Sequence, residues 1–258
     1  MRSLTAVLRM ALAIIVLTVA FLAILLVSVI PIKVRGATLA GWVATWLARS
    51  LLRIFAVKVV WANKAIFARH KGFVFPNHIS YTDILIMAAF APVRFLAKAE
   101  VAAWPMIGYI GKSIGSVFVK RENKESRTAA REALRHLEPF PPIILFPEGG
   151  TGPPGELRPF RYGAFEIVIS SGVPFLPCII DYGDNADAVY WGDENLLQSI
   201  FKLLTRSHGQ VTATVVPLRP VEPLPDDDPK LLAIAIHGAM EALRQSRTDE
   251  AKLIEPGI

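Results

Sequence analysis

Asn77-His78-Ile79-Ser80-Tyr81-Thr82-Asp83 sets an imidazole and a carboxylate five residues apart, directly after the apolar run Gly72 to Pro76. Gly72 to Pro76 has the composition of a buried strand, and Ser80 or Thr82 can cap the apolar helix that begins near Ile84. His78 then falls in a strand-to-helix turn. Were residues 78 to 83 all helical, five steps of about 100° would send His78 and Asp83 to diverging faces. A turn followed by the first helical residues instead lets the carboxylate fold back onto the ring. A carboxylate that accepts the Nδ1 proton fixes the tautomer and leaves Nε2 as a base for an incoming hydroxyl. A His and an Asp at this spacing also recur by chance, so the pattern acquires meaning only in company with other blocks of the chain.

Three such blocks lie downstream, in order. Lys98-Ala99-Glu100 leads into Trp104-Pro105, Gly108, Gly111 and Val117-Phe118-Val119-Lys120-Arg121. Phe146-Pro147-Glu148-Gly149 precedes Phe160, Gly163 and Ala164, and Val173-Pro174 precedes Leu176-Pro177. With Asn77, His78, Ser80 and Asp83 these blocks make residues 70 to 220 resemble the glycerolipid and lysophospholipid acyltransferases, typified by 1-acylglycerol-3-phosphate acyltransferase. The ordered set is more specific than any one block.

The resemblance implies His78 as base and Asp83 as its partner in the His-x4-Asp motif. It implies substrate contacts from Asn77, Ser80, Lys98, Arg121, Glu148 and Gly149. Glu148-Gly149-Gly150 gives a loop after a strand whose amides can receive a phosphate or polarise a carbonyl. The family continues after Glu-Gly with Thr, a basic or polar residue and Ser, whereas this chain has Gly150, Thr151 and Gly152. The family's phosphate-binding arginine is therefore missing there. Arg121, Arg158 and Arg161 are the cations nearest in sequence that can hold an acceptor phosphate. The expected donor is a co-substrate, acyl-CoA or acyl-carrier protein, with no cofactor and no metal. Lysophosphatidic acid is the first expectation for the acceptor. The altered third block keeps a lysophospholipid with another headgroup or a lyso-aminolipid open.

These residues need a scaffold and an address. In a chain of 258 residues, 53% hydrophobic and 19% charged content excludes a disordered chain. After Lys64, strand-length apolar runs alternate with amphipathic helix-length segments, the pattern of an α/β fold. Strands are expected at Gly72 to Pro76, Val93 to Ala97, Ser116 to Lys120, Ile143 to Pro147, Phe175 to Asp181 and Gln210 to Pro217. Helices are expected near Asp83 to Phe90, Val101 to Tyr109, Lys124 to Glu138, Tyr162 to Ser171, Glu194 to Thr205 and Asp228 to Gln245. The resemblance implies a twisted mixed sheet flanked by helices.

Met10 to Ile32 is 23 residues without a charge, about 35 Å as a helix and long enough to span a bilayer. A second apolar stretch, Gly36 to Val60, mixes Trp42, Trp46, Leu51 and Phe55 with Arg49, Arg53 and Lys58, as interfacial helices do. Residues 1 to 72 hold ten of the 28 basic residues and none of the 22 acidic ones, so the net +6 conceals a −4 remainder. A cationic excess beside apolar helices reads as attraction to anionic headgroups, not to nucleic acid. The expected division is a membrane-anchoring helical segment over residues 1–62 and a catalytic domain over 63–258. The resemblance implies that the catalytic domain faces the cytoplasm.

Two other function classes remain open at this level. Gly111-Lys112-Ser113-Ile114-Gly115 fits the Gly-x-Ser-x-Gly pattern of a membrane-bound hydrolase, although a nucleophile elbow needs a strand before it and a helix after. A non-catalytic lipid-surface binder would also carry the apolar segments. The single cysteine, Cys178, excludes an internal disulfide and reads as a small core residue.

Overall fold

The computed structural model describes residues 2–120, 122–135, 138–206 and 209–254. The chain runs α1 (Arg2–Val27), β1 (Lys33–Val34), β2 (Ala37–Thr38), α2 (Leu39–Ile54), β3 (Val57–Trp61), α3 (Lys64–Arg69), β4 (Phe73–Pro76), α4 (Tyr81–Phe90) and β5 (Arg94–Lys98). A 3₁₀ turn (Ala99–Ala103) then leads to α5 (Ile107–Ser113), β6 (Val117–Val119), α6 (Lys124–Arg135), β7 (Ile143–Ile144), α7 (Tyr162–Ser171), β8 (Phe175–Asp181), α8 (Ala186–Val189), α9 (Leu196–Arg206), β9 (Val211–Pro217) and α10 (Pro229–Ile254).

Among the described residues, seven strands form one sheet in the order β3-β9-β8-β4-β7-β5-β6. The β8–β9 pair is antiparallel, and the other neighbours in this sheet run parallel. Period-2 side-chain alternation splits the core into two layers. Phe73 and Phe75 of β4, with Phe175 and Ile179 of β8, pack beside Phe165 of α7 and Met240 of α10. Val74, Leu176, Cys178 and Ile180 face the other way, toward Leu52, Ile86 and Leu203. The mixed sheet carries helices on both faces, as the α/β alternation required.

The parallel strands β4, β7, β5 and β6 all end on one edge of the sheet. His78 follows β4, Lys98 ends β5, and the Glu148 loop follows β7, so topology alone brings the blocks together. Open α/β sheets bind ligands outside the carboxyl ends of their strands.

Several expectations shift. The apolar segment starts earlier and ends earlier than expected, as α1, and Pro31, which disfavours helical backbone at Ile30, bars the helix from running on to Ile32. Residues Leu4–Val27 are 24 residues of mean hydropathy 3.1, long and apolar enough to cross a membrane. One face of α1, with Ala6, Ala13, Ala20 and Ile24 buried, packs on the protein, while Leu8, Ile15, Leu22 and Leu26 are exposed. The stretch Gly36 to Val60 is a shorter helix, α2, whose Leu47, Ala48 and Leu52 are buried while Trp46 stays exposed. Its last residues are a strand. β3 pairs with β9 from Val57↔Val211 to Trp61↔Val215, so the boundary expected between residues 62 and 63 falls beyond a strand of the sheet. The helix expected over Val101 to Tyr109 is split around Pro105 and Met106, the latter at a positive φ of 59°. Ser113 is the last residue of α5 and β6 follows it. That helix-to-strand order is the reverse of a nucleophile elbow and removes the hydrolase motif.

Candidate active site

Ser80 starts α4 in extended backbone, and its side chain accepts from the Thr82 N–H while the Asp83 carboxylate accepts from the Ser80 N–H. This is a capping box, with Asp in the position more often held by Glu. The local sequence therefore fixes Asp83 for reasons independent of chemistry. The same Oδ2 also accepts from the Ile79 N–H at 2.8 Å and lies 2.9 Å from His78 Nδ1. Asp83 is wholly buried and acceptor-only when ionised, so Nδ1 carries the proton and Nε2 keeps its lone pair. The far oxygen, Oδ1, accepts from Tyr182 Oη at 2.5 Å.

The imidazole is clamped from its other side. Its ring stacks on Phe146 with centroids 3.9 Å apart and planes at 18°. Glu148 Oε1 accepts the His78 backbone N–H at 2.8 Å, and Oε2 accepts the Arg158 N–H at 3.1 Å. The Gly152 N–H donates to the His78 carbonyl at 2.8 Å. The β4 and β7 loops are thus sewn together across the base, with Glu148 as the stitch.

Burial pushes the Glu148 carboxyl up to about 7, a rise that Asp83 reinforces, while the two backbone N–H groups and Arg158 oppose it. An acid whose folded value lies above its ordinary 4.5 favours the folded state more in its protonated form. Its contribution to stability is therefore greatest below about 4.5 and declines as pH rises to about 7. The melting-temperature advantage of wild type over Glu148→Gln should shrink across that window. An advantage independent of pH would show that Glu148 stays ionised throughout.

Arg158 reaches this loop but not as a free cation: its Nη1 donates to the Thr151 carbonyl at 3.0 Å. A Cβ on Gly152 would stand 2.8 Å from Arg158 Cγ and 3.1 Å from Glu148 Oε2, so the loop needs glycine there to let the arginine cross it. Arg161 is exposed at the start of α7, its N–H bound to the Pro147 carbonyl. Lys98 is exposed on the same sheet edge. Arg121 lies outside the described residues.

Three residues expected to touch substrate are spent on the scaffold. Asn77 is buried, and its carboxamide both accepts from the Ile180 N–H and donates to the Ile180 carbonyl, riveting the end of β4 to β8. Ser80 is the buried helix cap. Gly149, at φ 77°, uses its N–H on the Phe146 carbonyl to close the turn, so that amide is not offered to a ligand. Gly150 lies beside Arg158, with a Cβ position 3.3 Å from Nη1. Sequence reasoning gives no role to Phe146 or Tyr182. Phe146 is signalled by its place directly before Pro147-Glu148, whereas Tyr182 has no local signal beyond a polar tip ending an apolar run.

The family model "Acyltransferase" matches residues 58–181, a span that opens in β3 and closes at the end of β8. A lyso-ornithine lipid O-acyltransferase of Pseudomonas aeruginosa is 33% identical over 153 residues, 58% of this chain and 57% of that protein. A 1-acyl-sn-glycerol-3-phosphate acyltransferase of Neisseria gonorrhoeae is 32% identical over 109 residues, covering 42% of this chain and 43% of its own. The chain spans about half the length of the curated relatives it matches. The crystal structure of the 1-acyl-sn-glycerophosphate acyltransferase PlsC from Thermotoga maritima superposes with a TM-score of 0.72 at 21% identity, covering 98% of both chains. That likeness bears on the fold alone.

Proposed function

We propose that the chain transfers a fatty acyl group from an acyl thioester to the hydroxyl of a membrane lysolipid, a reading supported by the match of residues 58–181 to the acyltransferase family model. The observation that carries the reading is the 2.9 Å His78–Asp83 contact at the carboxyl edge of the sheet, with Nε2 as the available base. The acceptor hydroxyl oxygen attacks the thioester carbonyl carbon as its proton passes to His78 Nε2, and Asp83 compensates the imidazolium that forms. Collapse of the tetrahedral intermediate breaks the C–S bond, and the imidazolium returns the proton to the departing thiolate. No acyl-enzyme is required. Acyl-CoA or acyl-carrier protein supplies the thioester.

Contact with the bilayer is assigned to the exposed apolar face of α1 and to Trp46 of α2, with the basic residues of the first 72 positions as partners for anionic headgroups. Soluble thioester donors favour a site on the cytoplasmic face.

1-Acylglycerol-3-phosphate is the leading acceptor, with Arg158, whose Nη1 lies beside Gly150 and donates to the Thr151 carbonyl, as the candidate cation for its phosphate. Replacing Arg158 with Ala should raise KM for a phosphate-bearing acceptor by about tenfold while kcat holds; an unchanged KM removes Arg158 from the site. A lyso-aminolipid is a second reading. It is favoured by the absence of a basic residue across Gly150-Thr151-Gly152 and by the likeness to a lyso-ornithine lipid acyltransferase. The test is acyl transfer by the purified chain to a panel of lysophosphatidic acid, lysophospholipids and lyso-ornithine lipid, with either thioester. Transfer to none of them would sink the reading.

A further inference from the structure

Asp83 is supported by a hydrogen-bonded chain that comes from the carboxyl end of β8. Asp83 and Thr82 are wholly buried and Tyr182 is 2% exposed. Oδ2 of Asp83 takes three donors, His78 Nδ1–H and the N–H groups of Ile79 and Ser80, while Oδ1 takes Tyr182 Oη at 2.5 Å. A carboxylate only accepts, so the Tyr182 hydroxyl must donate to it. The Tyr182 oxygen lies 2.7 Å from Thr82 Oγ1, and with its own proton committed it accepts the Thr82 proton. The order of donation is therefore Thr82 to Tyr182 to Asp83, with His78 donating from the other side. Tyr182 is the first residue beyond β8, and Thr82 and Asp83 lie in the first turn of α4. The chain locks the carboxylate plane against rotation and ties the helix that carries it to the sheet.

We propose that Tyr182 is a positioning residue of the acyl-transfer site, acting on His78 through Asp83. The proposal rests on the acyl-transfer function proposed for this site. Burial and the adjacent Asp83 push the Tyr182 phenol well above its usual range, which keeps it a neutral donor at working pH. Among the described residues, the ionisable groups around the dyad are Glu148 and Arg158 in the loop after β7, Tyr182 after β8, and Tyr81 on α4. Glu148 titrates in the same window as an imidazole, so the pH comparison is made in Glu148→Gln as well as in wild type.

The test uses the full chain purified in detergent. Tyr182→Phe keeps the ring and removes the donor; kcat should fall about tenfold with KM within about twofold. The acid limb of kcat/KM should move to higher pH, because a carboxylate relieved of one donor holds the imidazolium proton more strongly. Thr82→Val should shift the limb the same way by less, and add nothing in the Tyr182→Phe background. In a His78→Ala background, Tyr182→Phe should leave the residual rate unchanged. An unmoved acid limb, or an equal loss in both backgrounds, would reduce Tyr182 to core packing and overturn the proposal alone. Absence of acyl transfer by the wild-type chain would overturn it together with the function it rests on.

Discussion

Replacing His78 with alanine is expected to lower kcat for acyl transfer by about 10² to 10⁴-fold, the usual contribution of a positioned general base. The fold should survive. The bonds that sew the loops at this position are made by the His78 backbone, whose N–H goes to Glu148 and whose carbonyl accepts from Gly152, and alanine keeps both. What is lost is one side-chain bond to Asp83 and the stack on Phe146, both in a residue that is only partly buried. A melting temperature close to wild type together with near-complete loss of turnover is the expected pair. Wild-type turnover by the variant would remove His78 from the chemistry.

Asp83→Asn should cost kcat up to about 10⁴-fold, since a neutral amide can neither compensate an imidazolium nor hold the tautomer reliably. The carboxylate here accepts from four donors. If the Asn oxygen faces His78, Ile79 and Ser80, its NH₂ meets Tyr182, whose hydroxyl must then turn to donate to Thr82. If the amide lies the other way, its NH₂ opposes two backbone N–H groups and forces the imidazole proton onto Nε2. The first arrangement folds but lacks the charge, and the second lacks the base. Asp83→Ala should be worse for stability, leaving buried N–H groups without acceptors at about 1–3 kcal/mol each. Kinetics and thermal unfolding of the Asn and Ala variants side by side separate the two costs; an active Asp83→Asn would contradict the assignment.

Features of the site encoded within a few residues are legible in the sequence. Ser80 and Asp83 form a capping box, and a strand, a turn and a helix start are local patterns, so the folded-back carboxylate is deducible from Asn77 to Asp83 alone. Phe175 to Asp181 and Tyr162 to Ser171 are the strand and helix that their apolar periodicity implies. What is not legible depends on partners distant in the chain. β3 is held by β9, about 150 positions later, and its Val-Lys-Val-Val-Trp run reads locally as the tail of an apolar helix. Asn77 reads as a ligand contact because nothing nearby shows that Ile180, 103 residues on, consumes its carboxamide. Tyr182 escapes a sequence reading because its partners, Thr82 and Asp83, are about a hundred residues away. Asp228, by contrast, acts locally, its carboxylate accepting from the Lys230 and Leu231 N–H groups at the start of α10.

The most direct test of direct, His78-based acyl transfer is stoichiometric. Purified wild type and His78→Ala are given acyl thioester with and without a lysolipid acceptor, and free thiol and acylated lipid are quantified together. Thiol released one for one with acylated lipid, only when acceptor is present, and lost in His78→Ala, is the predicted result. Thiol release that proceeds without acceptor, or that is indifferent to His78, would contradict it.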